Sequence, residues 1–217
     1  MRTDIRIVAG ELRGRKVLCS VNPKMRPTPQ RVREALFSIL GDAVPDRLFF
    51  DVFAGTGVIG LEAVSRGARH VTFLERDFRS AADIEKHLAE FRVRNHATIL
   101  RSDVYRWAER WQPPAEPVNV FLSPPFDDFE NKLPEMLLLL ADLQEKLHAG
   151  SVLVLQSERT WELDKLPARE QWEQRVYGRN ELLIWVKGAD GNQDNAGGEN
   201  ADSDSKRDIE GLPQLES

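Results

Sequence analysis

Between residues 28 and 186 the chain alternates amphipathic stretches of helical period with short apolar runs of strand length, and this constrains its fold more than any other feature. Thr28-Pro29 opens the first helix, with Thr as N-cap and Pro at the first helical position. Val32, Ala35, Leu36, Ile39 and Leu40 then share one face, and Gly41 supplies the stop. Strands are predicted at 48–53, 70–75, 97–100, 118–122 and 151–156, and helices at 58–66, 79–91, 104–111 and 134–147. Ile84, His87, Leu88 and Phe91 lie on one side of the 79–91 helix, with His87 at the boundary of that face. Runs at 171–177 and 181–186 flank Gly178-Arg179-Asn180 and read as a closing hairpin. Strands separated by helices require a mostly parallel sheet covered on both faces. The expected fold is α/β, a doubly wound seven-stranded sheet with an antiparallel edge. Runs at 5–8 and 16–18 around Gly10 and Gly14 predict a small N-terminal hairpin appended to that sheet.

A chain of 217 residues, 41% hydrophobic and 30% charged, supports one sizeable core. Its longest apolar run, 136–141, is far short of the roughly 20 residues of a membrane span. The Arg-rich start does not read as a secretory signal. The single cysteine, Cys19, suits a reducing cytoplasm. The net charge of −5 conceals an uneven distribution. Residues 1–34 carry nine basic side chains against Asp4, Glu11 and Glu34. Residues 188–217 carry eight acidic ones against Lys206 and Arg207. The chain therefore divides into a basic segment over 1–41 suited to phosphate contact, a domain over 42–187, and an acidic tail over 188–217 expected to be disordered.

Asp51-Val-Phe-Ala-Gly55-Thr-Gly57-Val-Ile-Gly60 lies between a predicted strand and helix. Glycines there bring the backbone close to a ligand and present amides from the helix start. Glu75 follows at the end of the next strand, placed to accept from ribose hydroxyls. The pattern indicates an adenine nucleoside cofactor. Asp51, ahead of the loop, either caps the following helix or receives a cationic amino-acid end; it suits that end better than a pyrophosphate, which favours S-adenosylmethionine. Ser102-Asp103-Val104 follows the third strand, where Asp103 either receives the adenine amine or caps a helix.

Ser123-Pro124-Pro125-Phe126 follows the strand at 118–122, on the same sheet edge as the glycine loop. Two prolines stiffen the corner and leave carbonyls as acceptors. An exocyclic amine can donate to the Ser123 oxygen and the Pro124 carbonyl, which aims its lone pair at an electrophilic methyl. Phe126 offers a ring on which an unstacked base can rest. Catalysis of this kind is positioning and electrostatics.

These residues resemble the amino-methyltransferases, whose signature is Asp, Asn or Ser followed by Pro-Pro and an aromatic. More narrowly, the chain resembles the RsmD family of 16S rRNA guanine-N2 methyltransferases. The likeness runs from about residue 6 to 158. It includes Arg6-Ile-Val-Ala-Gly10, Arg13-Gly-Arg-Lys16, Arg26-Pro-Thr-Pro-Gln-Arg-Val-Arg-Glu-Ala-Leu-Phe37 and Gly60-Leu-Glu-Ala63. It implies a Rossmann-like methyltransferase whose N-terminal hairpin contacts 16S rRNA or a small-subunit assembly intermediate. By position, Asp51, Phe53, Gly55, Gly57, Glu75, Asp103 and Val104 line the cofactor pocket. Arg13, Arg15, Lys16, Arg26, Arg31 and Arg33 are the RNA-contacting candidates. The family usually has Asp where this chain has Ser123. Three explanations stand: a weaker acceptor retained on guanine, charge supplied by Asp127 or Asp128, or a different base such as cytosine (N4) or adenine (N6).

The four histidines and Cys19 show no ligand spacing, so no metal is expected. The tryptophans are read as packing residues, and the protein as a monomer. The competing readings are a DNA amino-methyltransferase, a nicotinamide-dependent oxidoreductase and a non-catalytic RNA-binding module.

Overall fold

The computed structural model describes residues 2–20, 27–158 and 161–189. Arg26 and the tail from residue 190 onward lie outside them. In chain order the elements are β1 (Arg2–Arg6), β2 (Lys16–Ser20), α1 (Gln30–Leu40), β3 (Leu48–Val52), α2 (Val58–Ser65), β4 (His70–Leu74), α3 (Phe78–Glu90) and β5 (Ala97–Leu100). There follow α4 (Val104–Arg110), β6 (Val118–Leu122), α5 (Phe126–Asn131), α6 (Leu133–Lys146), β7 (Val152–Glu158), β8 (Glu173–Tyr177) and β9 (Asn180–Val186).

The main sheet has seven strands in the order β5-β4-β3-β6-β7-β9-β8. The first five are mutually parallel, and β9 and β8 form the antiparallel edge. From β3 the chain winds out to β5, then crosses back to β6. The topological switch point is thus the β3–β6 junction, where ligands of open α/β sheets bind. Each face carries its own apolar cluster. One, under α1, α2 and α3, includes Leu36, Phe49, Phe73 and Ile84, and the other, under α4 and α6, includes Phe50, Leu122, Met136 and Leu140. The tryptophans pack: Trp172 and Trp185 are buried, and Trp107 and Trp111 stack against each other beside Phe50.

Several details differ from expectation. The N-terminal hairpin is a separate two-stranded sheet seated on the helices, not an extension of the main sheet. The Glu11 and Leu12 amides donate to the Ser65 carbonyl and hydroxyl, at 2.8 and 2.9 Å. Gly10 (φ +80°) presses so closely that a Cβ there would lie 1.7 Å from the Ser65 carbonyl oxygen. His87 lies between α3 and β2 rather than at a boundary. It is buried, stacked on Phe91, with Nε2 2.9 Å from the Leu18 carbonyl. Helix α1 starts one residue later than predicted, with Pro29 at its N-cap position. Thr28 does not cap it but donates its hydroxyl to Gln156 Oε1 at 2.8 Å. The buried face of α1 is also turned. Arg33 and Phe37 face inward, while Ile39 is 38% exposed. Finally, Phe126–Asn131 forms a helix where sequence reading has only a turn. Pro125 (φ −54°) is preset for its start, and Asp127 and Asp128 suit its positive end.

Candidate active site

The carboxyl ends of β3, β4, β5, β6 and β7 open into one cavity of about 630 Å³, within the size range of small-molecule sites. Asp51, Phe53, Gly55, Glu75, Asp103, Val104, Ser123, Pro124 and Phe126 all line it. Sequence reading therefore places its cofactor and catalytic candidates on a common surface, with one exception. Gly57 (φ +71°) faces away from the cavity, where a Cβ would meet Ile84 Cγ1 at 2.6 Å. It serves the turn and its packing, not the ligand wall. Gly60 has the same kind of role, since a Cβ there would meet Phe73 Cε1 at 2.1 Å.

The loop is held from below by carboxylates. Asp51 Oδ2 accepts the Gly60 amide at 2.8 Å, satisfying a donor in the first turn of α2. At 1% exposure, burial pushes the Asp51 carboxyl up to about 8; the Gly60 amide opposes that rise and the nearby Glu75 charge adds to it. Glu75 accepts the Gly55 and Asp77 amides, both at 2.7 Å, one on each oxygen. Its carboxyl is also raised by burial, against those two amides. Two fixed hydrogen bonds orient Glu75 toward the cavity while leaving lone pairs for further donors. Phe53 takes φ +65°, a conformation unusual for a bulky residue and characteristic of functional loops.

Asp103 is a helix cap that also borders the cavity. Its Oδ1 caps α4 through the Tyr105 and Arg106 amides, at 3.1 and 3.3 Å, and the residue also lines the cavity. Ser123 follows β6 directly, its amide donating to the Val52 carbonyl at 3.3 Å, which ties the corner to β3. Pro124 is buried behind it.

Sequence reading gave no site role to the lining residues Tyr105, Thr28 and Glu158. Tyr105 packs edge-on against Phe53, with ring centroids 5.9 Å apart, and donates its hydroxyl to Asp128 at 2.7 Å. Burial and the Asp128 carboxylate raise the Tyr105 pKa, so the phenol stays protonated as a donor. Asp128, weighed as a source of charge, is 7% exposed and also 4.0 Å from Lys132. Thr28 and Glu158 complete the wall over β7. The only sequence signals for these were the Thr-Pro pair and the paired acids after Phe126.

Of the basic candidates, Arg13, Arg15, Lys16 and Arg31 are exposed. Lys16 pairs with Asp4 at 3.0 Å, and Arg15 lies 5.5 Å over the Phe91 ring. Arg33 is not at the surface. It is 3% exposed, pairs with the buried Glu62 at 3.3 Å, and donates to the Thr28 and Arg6 carbonyls. Its charge is neutralised inside the protein, where it fastens β1 to α1 and α2. Arg26 lies outside the described residues.

A doubly wound sheet with this glycine loop, an acid after β4 and a proline corner after β6 has the layout of the Rossmann-like methyltransferases. The family described as Conserved hypothetical protein 95 matches residues 5–186. Ribosomal RNA small subunit methyltransferase D of Escherichia coli is 33% identical over 88% of this chain and 94% of its own length. The chain belongs to this family. The solved structure of the Escherichia coli protein yhhF superposes with a TM-score of 0.69 at 30% identity, covering 86% of this chain and 99% of that one. A 16S rRNA N2 methyltransferase from Thermus thermophilus, solved with S-adenosylmethionine and guanosine, shares the fold. Its TM-score is 0.65 at 20% identity, over 86% of this chain and 50% of that one.

Proposed function

We propose that this protein is an S-adenosylmethionine-dependent methyltransferase acting on the exocyclic N2 of a guanine in 16S rRNA. The observation that carries the reading is the single cavity joining the Ser123–Phe126 corner to the carboxylates of β3, β4 and β5. Its acceptors fit the cofactor: Glu75 for ribose hydroxyls, Asp103 beside the adenine, and Asp51 for the cationic amino-acid end. Nothing in that set is suited to a pyrophosphate, which argues against the nicotinamide reading.

When bound, S-adenosylmethionine supplies a sulfonium methyl; the amine lone pair forms the new N–C bond as the C–S electron pair returns to sulfur. The residues of this chain orient the amine. Ser123 Oγ and the Pro124 carbonyl accept its two hydrogens, Phe126 supports the base, and the prolines keep the corner from relaxing. The proton leaves the nitrogen after the methyl has arrived, so no strong base is needed. Asp128 supports this geometry indirectly. Through Tyr105 it locks α5, and hence Phe126, against the wall that carries Phe53.

The exposed Arg13, Arg15, Lys16 and Arg31 form the RNA-facing surface, and their charge suits phosphate contacts. The Escherichia coli relative, ribosomal RNA small subunit methyltransferase D, supports the same substrate. The test is transfer of labelled methyl from S-adenosylmethionine to undermethylated small subunits, free 16S rRNA and duplex DNA. Label entering subunits or rRNA but not DNA is expected. Label confined to DNA, or cofactor binding with no transfer to any acceptor, would overturn the reading.

A further inference from the structure

The order of strands along the sheet edge is also an order along the cavity. Ser102 and Asp103 follow β5, Glu75 follows β4, Phe53 and Gly55 follow β3, Ser123 follows β6, and Glu158 ends β7. With the nucleoside cofactor over β5, β4 and β3, and the reacting amine at Ser123, the body of the target base extends over β7. The wall there is formed by Thr28 and Glu158. Thr28 is fixed by its hydroxyl to Gln156, two residues before Glu158 on the same strand. Glu158 is half-buried, where a hydrogen bond to a carboxylate is stronger than in open water.

Base chemistry then discriminates. Guanine presents its 2-amine beside an N1–H, two donors on one edge. Cytosine and adenine present their exocyclic amine beside a ring nitrogen that accepts. A carboxylate next to the amine site attracts the first arrangement and repels the second. We propose that Glu158 accepts the N1–H of the target guanine and thereby selects guanine for methylation, a role that rests on the methyltransferase reading above. Other carboxylates of the cavity stand elsewhere on the sheet edge: Asp128 lies on α5, and Asp51 and Glu75 stand on the cofactor side of Ser123. Selection by Glu158 also accounts for Ser123. With a carboxylate fixing the base through N1, the acceptor for the amine can be a neutral hydroxyl.

The test replaces the guanine mapped as the methylated position with 2-aminopurine, which keeps the 2-amine but turns N1–H into an acceptor. The wild-type protein is expected to lose roughly ten- to hundredfold in kcat/KM on the substituted RNA. Glu158→Gln, whose amide can donate to that nitrogen, should shift the guanine-to-aminopurine ratio toward aminopurine by a similar factor. Its affinity for S-adenosylhomocysteine, measured by calorimetry, should be unchanged. Equal wild-type rates on both bases would overturn the assignment without recourse to any variant. A Glu158→Gln chain that slows on both bases by the same factor would overturn it too. Absence of transfer to the unmodified guanine RNA would instead be a failure of the methyltransferase reading itself.

Discussion

Asp51 is almost wholly withdrawn from water and lies near Glu75, so its neutral form is favoured at neutral pH. Its folded-state pKa, about 8, stands above the ordinary 3.8. The stability linked to its bound proton is therefore complete below about pH 4 and is lost as pH rises through 8. Pairing with a cationic amino-acid group needs the ionised form. Affinity for S-adenosylhomocysteine should then strengthen from pH 6 to pH 8, by up to about tenfold per unit. Titration calorimetry across that range checks this, and Asp51→Asn should flatten the profile. A profile already flat in the wild-type protein would remove Asp51 from the cofactor's amino end. Arg33 makes the opposite point about reading charge from a sequence. It was grouped with the RNA-binding arginines because it stands in a basic run, yet it faces Glu62 in the interior. Removing one partner of a buried pair strands the other, so Arg33→Ala should cost about 3 kcal/mol or more of stability. Chemical denaturation measures that cost. An unchanged midpoint with weakened RNA binding would restore Arg33 to the interface.

The hairpin β1–β2 is positioned by close backbone contact with α2 rather than by strand pairing with the main sheet. It is thus anchored at its base, with Arg13, Arg15 and Lys16 exposed. Replacing those three with Ala should weaken binding to 16S rRNA and flatten its salt dependence, while leaving affinity for S-adenosylhomocysteine intact. A salt slope equal to that of the parent would show that RNA binds elsewhere. Elements whose period is set by burial were legible in the sequence. The parallel strands were short, mostly apolar runs, and the 79–91 helix had one apolar face that the structure buries. What escaped detection depended on tertiary partners. Helix α5 is too short for its period to show, and its stability comes from Phe129 packing on Trp161 and Asp128 meeting Tyr105. The turned face of α1 follows from Glu62, which lies 29 residues away and gives Arg33 its partner.

For the whole molecule, the site emerges from the winding order. Asp51, Glu75, Asp103, Ser123 and Glu158 are spread over more than a hundred residues of sequence, yet all reach one edge because their strands, or the turns that follow them, run parallel. The glycine loop and the proline corner were recognisable locally. Glu158 was not, because nothing in its sequence neighbourhood shows that β7 lies beside β6 on the side away from the cofactor. The same arrangement makes a single demand on the chemistry: the amine that receives the methyl must belong to a base extending over β7. The most direct measurement is nucleoside analysis of small-subunit rRNA after incubation with the protein and methyl-labelled S-adenosylmethionine. Label recovered as N2-methylguanosine is the predicted result. Label recovered as N4-methylcytosine or N6-methyladenosine would contradict it, retaining the transfer but removing the guanine specificity on which the account of the site depends.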